Sequence, residues 1–203
     1  MKDNNYDINL IADVILNDGI VVMPTDTVYG IVCDATNENA IDKIYQLKNR
    51  DYSKAMIILV SDLSMINNCC TSLNELEKEL LLESPCPTTV IVKRNKTYLP
   101  DILVAGKDEI AIRKPNNDRL LELIKIINKP IVSTSANISN HETITDVELL
   151  EDSIKNNINL LVDGGHINNC ASTIVKVVED KIKLIRKNDD SIELINKYKD
   201  KII

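Results

Sequence analysis

Three cations, Lys48, Arg50 and Lys54, follow a hydroxyl-rich turn that carries Thr25, Thr27 and Tyr29. Arginine offers a planar fork for phosphate or carboxylate, and lysine a compact point charge. Hydroxyls both donate and accept. A strand followed by such a turn, then a helix, then cations, is where an open α/β sheet binds a charged ligand. In extended backbone Lys48 and Arg50 would face the same way and converge on one anion. In a helix they would diverge, so their pairing requires the helix to fray near Asn49. By itself the cluster reads more simply as a solvated basic helix end, favoured by the helix dipole.

A second group, Ser133-Thr134-Ser135-Ala136-Asn137, follows the apolar pair Ile131-Val132. Small polar residues at a strand end let a ligand approach the backbone closely, although alone they read as a cap or turn. A third group is Asp163-Gly164-Gly165 with Ala171-Ser172-Thr173 beyond it. Adjacent glycines permit positive φ or a backbone nest for an anion. The G-x-x-x-x-G-K-[ST] of a Walker loop is missing. Arg113 and Arg186 each end a predicted strand and add to a cleft. Neither G-x-S-x-G nor H-E-x-x-H occurs, and with 2 histidines, His141 and His166, a hydrolytic triad has little to work with.

The elements that must position these groups follow from periodicity. Asp7 is placed to cap a helix in which Ile8, Ile11, Ala12, Ile15 and Leu16 recur, with Gly19 beyond its end. Residues 20–23 read as a buried strand ended by Pro24. Ala40, Ile41, Ile44, Tyr45 and Leu47 line a second helix, and residues 56–60 form an apolar strand covered on both faces. Helices are expected over residues 73–83 and 120–127 and near 147–154. Strands are expected over residues 89–92, 110–112, 131–132 and 160–162. Residues 172–178 and 181–186 read as a hairpin turning at Glu179-Asp180. The result is one α/β domain over residues 1–203 with a mixed sheet.

Composition narrows the partners. With 44% apolar and 27% charged residues the chain is an ordinary globular one. The formal net charge of −7 argues against a surface built wholly for nucleic acid, yet leaves room for a local basic cleft. Five cysteines, an odd number with no C-x-x-C, read as buried reduced thiols. A zinc site from His166, Cys170 and a distant cysteine fits the spacing rules poorly, and no metal ligand is assigned. No apolar run reaches the roughly 18 residues of a spanning helix, and the acidic, polar start is no secretory signal, so no membrane partner and a cytoplasmic location are expected.

Taken in order, several segments resemble the YrdC-like family. They are PTDTVYG at residues 24–30, KNRDYSKAM at 48–56, SPCPTTVIVKR at 84–94, IAIRKP at 110–115, STSANIS at 133–139, VDGGHINNCASTIV at 162–175 and KLIRK at 183–187. The resemblance implies the single-domain form of the family: a twisted open mixed sheet with flanking helices and a concave basic face. It implies synthesis of threonylcarbamoyl-AMP and pyrophosphate from L-threonine, bicarbonate and ATP. ATP would be a substrate, with Mg²⁺ expected beside it. The product would pass to the machinery that makes threonylcarbamoyladenosine at tRNA position 37, with a direct tRNA contact as a further expectation.

Carried over by position, Lys48 and Arg50 would be catalytic, and Arg50, Lys54, Ser135, Asn137 and Arg186 would bind ATP. Thr27, Arg113, Ser133 and Ser172 would bind threonine. The chain departs from the family in three places. Ser84-Pro85-Cys86-Pro87-Thr88-Thr89 stands where the family usually has tryptophan-proline-glycine-proline-leucine-threonine, Leu59 stands where a histidine is common, and Asn140 where a glycine is. Two other readings fit the sequence: a non-catalytic RNA-binding module, and a paralogue with a different carbamoyl or amino-acid substrate. The absence of Trp and Phe leaves only tyrosines as stacking platforms for the first. Retention of both the K-x-R and S-x-N pairs speaks against lost activity.

Overall fold

The computed structural model describes residues 6–203. Asp7 caps helix α1 (Ile8–Leu16), its carboxylate accepting from the amides of Asn9 and Leu10. Strand β1 (Val21–Pro24) follows. The chain then departs from expectation: Tyr29–Asp34 forms a second strand, β2, antiparallel to β1, with Pro24 opposite Tyr29. Thr25, Thr27 and Val28 therefore sit in a hairpin loop. All six residues of β2 are buried, so the strand lacks the polar alternation by which a half-exposed strand is recognised.

Helix α2 (Glu38–Leu47), capped by Asn37, leads to β3 (Ile57–Leu59). Next come α3 (Leu63–Cys69), which periodicity did not predict, and α4 (Glu75–Glu83), started by an Asn74/Glu77 capping box. Then follow β4 (Thr88–Lys93), β5 (Glu109–Arg113), α5 (Asp118–Ile127) and β6 (Ile131–Ser135). The helix expected near 147–154 is split into a 3₁₀ turn, Val147–Leu149, and the single-turn α6 (Asp152–Lys155). The remaining elements are β7 (Leu160–Leu161), β8 (Thr173–Val178), β9 (Lys181–Arg186) and an unforeseen α7 (Ser191–Lys197).

The strands form one open sheet in the order β7-β1-β2-β6-β3-β5-β4-β8-β9. Pairs β1–β7, β3–β5 and β4–β8 are parallel and the rest antiparallel, the mixed sheet that the sequence implied. Strands β2 and β3 are parallel and joined through α2, but β6 lies between them, antiparallel to both. This insertion brings residues 133–135 beside the Thr25–Val28 loop. It is also why Gly30 is small: a Cβ there would meet Ser133 Oγ at 2.9 Å and Thr25 Cγ2 at 3.1 Å.

Burial is uneven across the sheet. Ile58, Val90, Ile110, Ile112 and Val175 are buried, and α4 packs against β4. Each such side chain contributes roughly 1.5–3 kcal/mol of burial. Their neighbours Ile57, Ile91, Ala111 and Ile174, which point the other way, are only half-buried. One face of β3, β4, β5 and β8 is thus left open. The β8–β9 hairpin turns at Glu179 and Asp180, both at positive φ, as a tight two-residue turn demands.

Candidate functional site

The open face is the floor of a cavity of about 390 Å³. Thr27, Arg50, Arg113, Ser133, Ser135, Ser172 and Arg186, all singled out from the sequence, line it. They come from five places: the β1–β2 loop, the segment after α2, and the ends of β5, β6 and the β8–β9 hairpin. The sheet order collects them. β6 reaches the β1–β2 loop on one side and β3 on the other, and β5 ends beside both.

Arg113 is held by Asp26 and Thr27. Its Nη1 donates to Asp26 Oδ1 and its Nη2 to Thr27 Oγ1 at 3.3 Å. Asp26 also accepts from the Asn116 amide at 3.1 Å. Both partners of the ion pair are 5% exposed. The guanidinium is therefore fixed, and much of its charge is already answered inside the protein. Asp26 escaped the sequence reading because an aspartate between two threonines looks like an ordinary turn residue. Its removal would strand a buried arginine. Asp26→Ala is expected to lower stability by about 3–5 kcal/mol, read from the urea midpoint.

Across the cleft, Arg186 wraps Ser172. Its Nε and Nη2 donate to the Ser172 carbonyl at 3.0 and 2.8 Å, and Nη2 reaches Ser172 Oγ at 3.2 Å. Ser172 Oγ also lies 2.8 Å from Thr89 Oγ1 on β4. The Thr25 and Thr27 hydroxyls are 3.0 Å apart, and Thr25 Oγ1 donates to the Val28 carbonyl, so the loop is braced from within.

The three cations of the basic segment separate. Helix α2 ends at Leu47, Asn49 takes a left-handed φ of 47°, and the Arg50 amide returns to the Tyr45 carbonyl. Lys48 and Arg50 consequently do not converge on one anion. Arg50 points into the cleft, braced by bonds from Nε to the Lys54 carbonyl (3.1 Å) and from Nη2 to the Ala55 carbonyl (2.7 Å). Partial burial lowers its pKa. Lys54 is exposed and lines no part of the cavity; its carbonyl is what the site uses.

Lys48 turns inward. It is 1% exposed, and its Nζ donates to the carbonyls of Ser135 and Asn137 while its own carbonyl accepts from the Ser139 amide. Burial, followed by the charge of Arg50, pulls its pKa from 10.5 down to about 7, against a smaller raising effect of Glu151. A neutral amine has two N–H groups, enough for the two carbonyls. Asn137 is buried behind the same turn, its amide nitrogen donating to the carbonyls of Ile138 and His141 at 2.8 Å. Lys48 and Asn137 thus shape the 135–139 backbone, and neither lines the cavity.

The glycine-rich loop is not a free anion nest. Gly165 has a φ of 74°, but its amide donates to Asp163 and the Gly164 amide to Tyr29 Oη. Of the departures, Asn140 has a φ of 71°, so asparagine supplies the left-handed residue that a glycine would. Leu59 is fully buried opposite Arg113 on the neighbouring strand. Cys86 is buried, with Thr88 Oγ1 donating to its carbonyl. Cys33 and Cys69 are likewise buried free thiols, and burial raises the pKa of both, Cys69 to about 12. Among the described residues no group of three or more His, Cys, Asp or Glu could hold a metal ion, and no helix is long and apolar enough to cross a membrane.

The fold is an open-faced mixed α/β sheet that gathers three guanidinium groups and several hydroxyls over one cleft, a donor set whose chemistry suits anions. The Sua5/YciO/YrdC family model, described as "Telomere recombination", matches residues 13–188, and the chain belongs to that family. It is 37% identical over 175 residues to a putative threonylcarbamoyl-AMP synthase of Methanocaldococcus jannaschii, covering 85% of this chain and 81% of that one. It superposes on the crystal structure of P. abyssi Sua5 complexed with L-threonine with a TM-score of 0.85 at 26% identity. That match covers 94% of this chain but 57% of the longer Pyrococcus chain. E. coli YciO, 23% identical, shares the fold with a TM-score of 0.77, over 89% of this chain and 88% of that one.

Proposed function

We propose that the protein is a threonylcarbamoyl-AMP synthase, a nucleotidyltransferase that joins L-threonine, bicarbonate and ATP and releases pyrophosphate. The observation that carries this reading is the convergence of Arg50, Arg113, Arg186, Thr27, Ser133, Ser135 and Ser172 on one cavity, in a family whose named members include threonylcarbamoyl-AMP synthases. The product would serve threonylcarbamoyladenosine formation at tRNA position 37, in the cytoplasm, with residues 1–203 acting as one domain.

The reaction suits such a site. Threonine's neutral amine adds to bicarbonate with loss of water, giving a short-lived carbamate. A carbamate oxygen then bonds to the α-phosphorus, and the bond from that phosphorus to the bridging oxygen breaks as pyrophosphate leaves. Two anions must meet, so catalysis is chiefly positioning, charge neutralisation and exclusion of water. Arg50 and Arg186 stand on the phosphates. Arg113, pre-set by Asp26, meets the threonine carboxylate, with Thr27, Ser133 and Ser172 around the amino acid. Ser135 offers its hydroxyl to the phosphates. Lys48 and Asn137 act one step back, by fixing the backbone that presents Ser135. Lys54, exposed beside Arg50, adds positive potential at the rim. Among the described residues no carboxylate lines the cleft, and Asp26 behind it is taken by Arg113, so the donor set suits Mg²⁺ carried by the ATP phosphates and its waters rather than one held by protein carboxylates.

The test is pyrophosphate release with each reactant omitted in turn. Release is expected to need threonine, bicarbonate and ATP together. Release indifferent to threonine would remove the assignment.

A further inference from the structure

The family reading accounts for the cations and hydroxyls of the cleft but leaves its apolar half without a role. Ile57 pairs with Ala111, and Ala111 with Ile91, so the three stand in a row across β3, β5 and β4. Ile174 continues the surface on β8. A bulge in β9 adds a fifth side chain: Ile174 faces Arg186 and Val175 faces Leu184, so Ile185 is an extra residue. In a regular strand successive side chains point to opposite faces. Here the bulge lets Ile185 and Arg186 both line the cleft. Ile185 is 49% exposed, an aliphatic side chain with nothing laid over it.

We propose that this strip seats the base of the nucleoside triphosphate by contact alone, so that the site accepts purine nucleoside triphosphates as a class rather than ATP alone. The inference rests on the reading of the cleft as a nucleotide site. None of the five side chains carries a hydrogen-bonding atom, and the sheet ladder engages the main chain of Ile57, Ala111 and Ile91. The two further hydroxyls that line the cavity, Thr134 and Thr143, can rotate to donate or accept, so they do not tell an amino edge from a carbonyl edge. An apolar seat rejects a polar isostere weakly, whereas a seat built to hydrogen-bond rejects a mismatch by four to five orders of magnitude. The bonds made and broken are the same for every base, since only the α-phosphorus, the carbamate oxygen and pyrophosphate change partners.

The experiment measures pyrophosphate release at saturating threonine and bicarbonate with ATP, GTP, ITP and UTP. GTP and ITP are expected to support kcat/KM within about tenfold of ATP, with the smaller pyrimidine of UTP weaker. Ile185→Ser is expected to raise KM for ATP and GTP alike with its melting temperature retained, since the side chain is half-exposed. Normal turnover with ATP but a thousandfold loss with GTP overturns the inference, as does an Ile185→Ser effect confined to ATP. Absence of turnover with every nucleotide overturns the proposed function instead. Binding of AMP, GMP and ribose 5-phosphate then decides the seat. Equal affinity for AMP and GMP, above that of ribose 5-phosphate, supports it; selectivity for one base, or no gain over the sugar phosphate, refutes it.

Discussion

Replacing Lys48 with methionine is expected to remove most turnover and to destabilise the fold, although Lys48 lines no part of the cleft. Methionine keeps the apolar stem but leaves the Asn137 carbonyl without its donor, at about 1–3 kcal/mol, while the Ser135 carbonyl keeps only the Asn137 amide at 3.0 Å. Relief from burying an amine offsets part of this, so a net loss of about 1–2 kcal/mol is expected. Urea denaturation would read it. Turnover should fall with kcat, because the backbone that presents Ser135 loses its clamp. Lys48→Arg should not restore it, since a planar fork does not fit between two carbonyls spaced for an amine.

The pH dependence separates this role from that of an exposed cation. The folded-state pKa of Lys48, about 7, lies below its unfolded value of 10.5. Between those values the unfolded chain holds the proton that the folded protein has released. Stability from this group therefore rises with pH across that window and is least favourable below pH 7. The difference in unfolding free energy between wild type and Lys48→Met should widen from pH 7 towards pH 10. A difference that stays flat would place the amine in solvent and refute the clamp.

Arg50→Ala is expected to cut pyrophosphate release by about 10²–10³-fold, as for loss of one preorganised donor to a developing charge. Its effect on stability should be small, about 1 kcal/mol, since its protein contacts are two loop carbonyls near the surface. Arg50→Lys should recover little, because a point charge cannot hold both carbonyls and still present a second edge to phosphate. Turnover near wild type would take Arg50 out of the mechanism. The two substitutions, two residues apart, thus differ in kind: the first loses rate and a pH-dependent stability, the second chiefly rate.

Much of the site was legible in the chain because its residues occur as short motifs at strand ends, where local sequence determines both chemistry and turn. Thr27, Ser133, Ser135, Ser172, Arg113 and Arg186 are of this type, Arg50 follows a helix end instead, and the structure brings all seven to one cavity. The β8–β9 hairpin and the Asp7 cap were legible for the same reason, since each depends on neighbours only a few residues away. Strand β2 was not, because it is buried on both faces and carries no period, and Gly30 and Asp34 interrupt the apolar run by which β1 and β3 were recognised. Nor was the place of β6 between β2 and β3, which depends on pairing across about a hundred residues.

What the sequence alone determined is therefore the inventory of the cleft and the local shapes that carry it. Tertiary structure decided which cations are free to meet a ligand. Lys48 reads as a surface charge but is buried against two carbonyls, and Arg113, which does line the cleft, is oriented and partly neutralised by Asp26. It also decided that Ile185 stands in the cleft, through a bulge that no sequence period records. The physical reason is common to all three. A side chain's charge and exposure are set by what packs against it, and those partners come from distant parts of the chain.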